Sequence, residues 1–197
     1  MVASDFILEA SFELQEKNQD KKFWNNSELF IKLQRAYRQI QEDLPYFVAS
    51  EQIDIKQGIN LYHLKFRSIK EISFFINDKK YVYEELEELF DMPENKIYNI
   101  SSKQLQISPT PIHDNKGVVS YYYLKELENE NDYITTPIKY EEALRLLFLA
   151  YVFEKAPKDM TQRDLSIHYL KRYESAKELL KRSKKTKKFL TSKYQRI

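Results

Sequence analysis

From Leu146 to Phe153 the chain runs through eight apolar residues without a break, LLFLAYVF, and no other stretch limits its possible folds as strongly. A helix that is apolar on every side has no face to give to water, so other elements must surround it. The flanking residues read as helix punctuation. Pro137 suits a first helical position, where its missing N–H is no loss, and Thr136 stands ready as the cap. Glu141 and Glu142 then lie near the positive end of the helix dipole. A membrane span needs about 20 apolar residues, and Glu154 and Lys155 end this run well before that. The spacing therefore predicts a core helix over 137–155 and no membrane partner. Each large side chain buried along it is worth about 1.5–3 kcal/mol.

A chain of 197 residues fits one domain with room for a small insertion. Cysteine is absent, which excludes a disulfide framework, a thiolate zinc site and a cysteine nucleophile together. The opening MVASDFILEASFELQEK lacks the basic n-region of a signal peptide, and the expectation is a cytosolic or virion-borne protein. The two glycines, Gly58 and Gly117, lie in no phosphate-wrapping pattern, so a nucleotide-binding fold is not expected. The 15 tyrosines and 12 phenylalanines serve either a core or an interface.

A net charge of +2 conceals an asymmetry. Residues 163–197 hold twelve Lys and Arg against Asp164, Glu174 and Glu178, a net +9, which leaves −7 on residues 1–162. Such a split points the basic end toward an acidic partner, nucleic acid or protein.

Along the chain, Phe6, Ile7, Ala10 and Leu14 recur at helical spacing and predict a helix over 3–17. After the loop KNQDKKFWNNS, Asn25 or Asn26 can cap a second helix, 27–44, with Glu28 completing a capping box and Trp24 as a staple. Its apolar positions Leu29, Phe30, Leu33, Ala36, Tyr37, Ile40 and Leu44 stop before Pro45. The pattern then alternates. Ile53 to Ile55 and Ile59 to Leu61 read as short strands turning at Gly58, and Ile69 to Ile76 turns at Asn77-Asp78-Lys79 into Lys80 to Tyr83. Tyr83 to Phe90 reads as a short acidic helix. Ile97 to Ile100 with Leu105 to Ile107 suggests another hairpin, which Ser108-Pro109-Thr110-Pro111 ends. Asp114-Asn115-Lys116-Gly117 has turn composition, and Val118 to Leu124 is a tyrosine-rich last strand. Glu126 to Asp132 reads as a loop, and a final helix over 161–180 carries Leu165, Tyr169, Tyr173, Ala176 and Leu180. The fold class is α+β: a helical bundle over 1–180 with a small antiparallel β unit inserted at about 50–124, and an extended basic arm, 181–197, disordered in the free chain.

Catalytic chemistry finds little support. His63, His113 and His168 are far apart and form no metal-ligand spacing, so no metal or other cofactor is expected. Glu84, Glu85, Glu87 and Glu88 read as a solvated acidic face, and no serine sits in a nucleophile elbow. The arm is the candidate binding segment. Lys184, Lys185, Lys187, Lys188 and Arg196 are interleaved with Phe189, Leu190 and Tyr194, a mixture that can contact phosphates and stack on bases or dock into an acidic groove.

The order of elements resembles the head-to-tail adaptor, or connector, proteins of tailed bacteriophages. The resemblance rests on Trp24 with NNSELFIKLQRAYRQIQEDLP, then GINLYHL at 58–64, LQISPTP at 105–111, VVSYYYL at 118–124 and DYITTPIKYEEALRLLFLAYVFEKAPKD from Asp132. It departs at Leu64-Lys65, where the family often has Leu-Pro. The resemblance implies a non-catalytic structural protein of the virion, assembled in the host cytoplasm. It further implies a ring, usually twelvefold, beneath the portal protein, with tail or further connector proteins below and DNA passing through the lumen. Carried onto this chain, 181–197 is the portal-docking arm, with Phe189, Leu190 and Tyr194 as anchors. The alternative from another class is a nucleic-acid-binding protein that uses the same basic end.

Overall fold

The computed structural model describes residues 1–17, 25–66, 68–77, 79–84, 96–101, 103–154 and 160–194, with the backbone alone at 11–17, 68–72, 79–84, 96–101, 160–162 and 184–194. Among these residues are the helices α1 (Ala3–Lys17), α2 (Asn26–Asp43), α3 (Ile138–Phe153) and α4 (Met160–Tyr194). The strands are β1 (Val48–Ile55), β2 (Leu61–His63), β3 (Ser68–Ile76), β4 (Lys79–Glu84), β5 (Lys96–Ser101), β6 (Gln104–Ser108) and β7 (Asn115–Tyr123). The helices belong to one unit, Met1–Leu44 with Glu126–Ile197, and the strands to another, Pro45–Lys125. The class is α+β, with the β unit inserted between helices.

In the helical unit, the apolar stretch lies where its composition requires. Leu146, Leu147, Phe148, Leu149, Ala150, Val152 and Phe153 of α3 are all buried. Leu29, Leu33, Ala36, Tyr37 and Ile40 of α2 are buried, as are Phe6, Ile7 and Ala10 of α1 and Tyr169 and Tyr173 of α4. Phe6 meets Phe148 edge-on at 5.6 Å, and Phe153 stacks on Tyr169 at 5.7 Å. The start of α1 is stitched to the loop before α3. Ala3 and Ser4 N–H groups donate to the Asp132 and Glu130 carbonyls, both at 2.9 Å, and Val2 bridges Tyr133.

Helix termini follow local chemistry. Asn25 caps α2, its Oδ1 accepting from the Glu28 N–H at 2.8 Å while Glu28 Oε2 accepts from the Asn25 N–H at 3.3 Å, the reciprocal box predicted from the sequence. At α3 the reading needs correction. Pro137 itself takes the cap position with extended ψ, and the helix begins at Ile138, because the Pro137 carbonyl already accepts from the Tyr140 N–H at 2.7 Å. The C-cap is Glu154, whose N–H donates to Ala150 O at 3.2 Å. Helix α4 continues past the predicted end near 180 as far as Tyr194. Its backbone contains no glycine or proline, and Lys and Arg are good helix formers, so nothing local stops it.

The β unit is built as a sheet in the order β1-β7-β3-β4-β5-β6-β2. Neighbours are antiparallel except β4 and β5, which pair in parallel through Val82↔Lys96. The predicted turn between β3 and β4 is present, with Ile76↔Lys79 paired and Asn77 at φ 47°, the left-handed conformation that such a two-residue turn demands. The hairpin of β5 and β6 is also present. Three expectations change. Strands β1 and β2 flank the Gly58 turn, where φ is 77°, but pair with β7 and β6 and not with each other. Asn115-Lys116-Gly117 is the first stretch of β7 and not a turn, since it pairs with Ile55, Asp54 and Ile53. Tyr83 and Glu84 close β4; the rest of the predicted acidic helix, 85–90, lies outside the described residues, as do Trp24 and the loop around it.

The strand order forces curvature. A flat seven-stranded sheet would hold its edges about 29 Å apart at ~4.8 Å per strand, yet residues 56–60, which join edge strands β1 and β2, span at most about 20 Å. The sheet must therefore curl until its edges approach. The Lys65 N–H donates to the Glu51 carboxylate at 3.1 Å, and the Phe66 N–H to Tyr121 Oη at 3.1 Å, tying the chain after β2 to β1 and β7. Inside lie Ile53, Ile55, Tyr62, Leu64, Phe74, Ile76, Leu105, Ile107, Val119 and Tyr121.

Candidate functional site

The predicted binding residues other than Arg196 belong to α4, and the helical unit fixes the direction of that helix. Apolar packing on α3 supplies adhesion without a unique register, whereas a few polar contacts at the rim are directional. The Tyr173 hydroxyl donates to Asp43 Oδ2 at 2.5 Å, at the end of α2, and Lys177 Nζ reaches the same oxygen at 3.3 Å. Lys177 also pairs with Glu174 at 2.7 Å. Burial pushes the Tyr173 phenol well above its usual range, and the Asp43 carboxylate adds to the shift. For Lys177, burial acts to lower the pKa, but its bonds to Glu174 and Asp43 outweigh it and the net shift is upward. This corner keeps both protons across the ordinary pH range and locks α4 to α2.

A second set of contacts runs along α2. The Arg35 guanidinium lies 3.9 Å from the Tyr151 ring centroid and donates to Glu154 Oε2 at 2.5 Å, while Lys32 approaches the same carboxylate at 3.7 Å. Arg38 pairs with Glu126 at 2.7 Å, and Gln34 Nε2 donates to Leu127 O at 2.7 Å. The exposed ion pairs are individually worth little in water. Together they fix the sides of the bundle.

Beyond this frame, the helical backbone carries Lys184, Lys185, Lys187, Lys188, Phe189, Leu190 and Tyr194 in one rod. Arg196 lies outside the described residues. The sequence located these residues but missed the continuous helix, and the signal available was the absence of any helix breaker after Met160. The histidines are not brought together: His63 is on β2, His113 on the loop before β7 and His168 on α4, all exposed. Among the described residues no group of His, Asp and Glu could hold a metal ion. No described helix is long and apolar enough to cross a membrane.

Residues 1–191, which span the capped α2, the largely buried α3, the inserted β unit and most of the long basic α4, match a family model, SU10 adaptor protein. The chain belongs to the SU10 adaptor protein family. It is thus a structural adaptor protein of a bacteriophage. The match takes in both units and extends along α4 to within a few residues of Tyr194. No curated protein matches the chain.

Proposed function

We propose that this SU10 adaptor assembles as a ring, twelvefold by the adaptor precedent, between the capsid portal protein and the tail or further connector proteins. The DNA passes through its lumen. Its role is architectural and non-catalytic. The end of the chain, 181–197, reaches the portal, with Phe189, Leu190 and Tyr194 as its anchors. The observation that carries this reading is the family match across 1–191, which covers the bundle, the insertion and most of the basic helix at once. The charge distribution supports it: with −7 on residues 1–162, a channel wall of this body would repel the DNA backbone and let it slide.

The test is sedimentation of the chain with the portal protein of the same phage, full length and truncated after Leu180. A large complex that forms with the full chain and is lost on truncation is the expected result. If the chain ignores the portal and instead binds duplex DNA, with affinity falling at a log–log salt slope of about −0.9 per phosphate neutralised, the protein is a nucleic-acid binder built on the adaptor fold.

A further inference from the structure

The helical unit carries two surfaces of opposite chemistry. The first is assembled where the Val2↔Tyr133 bridge and the Ala3 and Ser4 hydrogen bonds set the first turns of α1 against the loop before α3. Residues 1–16 contain Asp5, Glu9, Glu13 and Glu16 and no lysine or arginine; residues 126–138 contain Glu126, Glu128, Glu130 and Asp132 and again no lysine or arginine. Arg38 engages Glu126, and backbone N–H groups of Glu128 and Asn129 engage Asp132. No described cation pairs with Asp5, Glu9, Glu128 or Glu130. Large apolar side chains are exposed on these same segments: Leu8 at 58% beside Glu9 on α1, Tyr133 at 65% in the loop bridged to Val2, and Ile138 at 85% at the start of α3. An acidic surface studded with exposed apolar groups suits a basic, partly apolar partner better than it suits water.

The second surface is the far part of α4. At 35 residues the helix is about 52 Å long, against about 24 Å for the 16 residues of α3, on which it packs. It therefore outruns its support by about 28 Å. Residues 181–194 contain seven Lys and Arg and no acid. Like charges three and four apart weaken a helix, and an isolated helix of this length is marginal in water. Carboxylates brought alongside would reverse that repulsion. Because α4 is unbroken from Met160 to Tyr194, it cannot fold back onto the acidic surface of its own chain.

We infer that the basic shaft of α4, Lys181 to Lys188, docks on the Asp5, Glu9, Glu128 and Glu130 surface of a second copy of this chain, and that this is the contact from which the ring is built. The inference rests on the ring reading above. Two unlike patches on each copy make a head-to-tail contact, the kind that closes into a ring when the rotation allows. Phe189, Leu190 and Tyr194 lie beyond the shaft, so the portal contact proposed for 181–197 narrows to the residues after Lys188.

A charge swap tests it. One full-length variant carries Lys184→Glu, Lys185→Glu, Lys187→Glu and Lys188→Glu; the other carries Asp5→Lys, Glu9→Lys, Glu128→Lys and Glu130→Lys. Circular dichroism verifies that both fold, and sedimentation velocity reads their self-association. The expected result is that the wild-type chain self-associates, that neither variant does so alone, and that mixing the two restores the complex, since each reversed patch then meets its opposite. Self-association that survives reversal of the acidic surface overturns the inference, as does a wild-type chain that stays monomeric while binding duplex DNA. A chain ending at Lys188 separates this from the portal reading: it should keep self-association and lose the portal. Loss of both together would place the copy-to-copy contact beyond Lys188 and overturn the inference.

Discussion

Gly117 shows how one missing side chain can be a packing requirement. It pairs with Ile53 and Ile76 in the middle of the sheet, and a Cβ there would stand 3.0 Å from Phe74 Cζ and 3.1 Å from Cε2. Phe74 is fully buried, so its ring would have to give by a few tenths of an ångström inside a packed core. Gly117→Val should therefore cost about 1–3 kcal/mol, as overpacking usually does, read as a lower urea midpoint. Tyr121 makes a different demand. Burial pushes its phenol up to about 12, against the lowering pull of the Phe66 N–H and with a further push from Glu51, to which it donates at 2.7 Å. Its folded pKa lies above the unfolded one, so its contribution is complete below pH ~10 and is lost as the pH climbs toward the folded value. Tyr121→Phe should be less stable at neutral pH by about 1–2 kcal/mol but should lose less on going from pH 10 to 12. A melting series at several pH values reads both effects, and parallel alkaline losses in the two proteins would contradict the assignment.

Among elements, α3 and α2 were the most legible because their instructions are local. Uninterrupted apolarity fixes burial, and an Asn three residues ahead of a Glu fixes a cap. Leu147, fully buried in α3, should not tolerate a charge, and Leu147→Asp is expected to yield insoluble protein. Asn25→Ala removes the box and should cost about 1 kcal/mol, visible in the thermal midpoint of the helical signal. The β unit was legible as strands but not as pairings. Alternation tells which face a residue occupies, whereas the choice of β7 over β2 as the partner of β1 is made by residues some seventy positions away. Gly117 misled for a related reason: glycine in a turn-like tetrapeptide carries the same local signal as glycine making room for a distant ring. The sequence hides the end of α4 because its lysines carry two opposed signals, mutual repulsion and good helix propensity. The basic composition of the proposed docking segment is legible in the sequence; the continuous helix that carries most of it is not.

For the molecule as a whole, the insertion has its own core and its own closure, and its two ends meet. The Tyr123 N–H donates to Phe47 O at 3.1 Å, and the rings of Phe47 and Tyr123 lie 5.5 Å apart, next to Pro45 and Lys125 where the chain enters and leaves. Replacing 45–125 with a short Gly-Ser linker should leave a helical protein that melts cooperatively, followed by circular dichroism at 222 nm; loss of helix on excision would mean that the bundle depends on the insertion. Because entry and exit are neighbours, a longer loop or an added strand within the β unit leaves the gap between Leu44 and Glu126 unchanged. Mutations that lengthen or rewrite the β unit therefore leave the chain path through the helical unit as it was, and a phage lineage can vary the insertion without redrawing the helices.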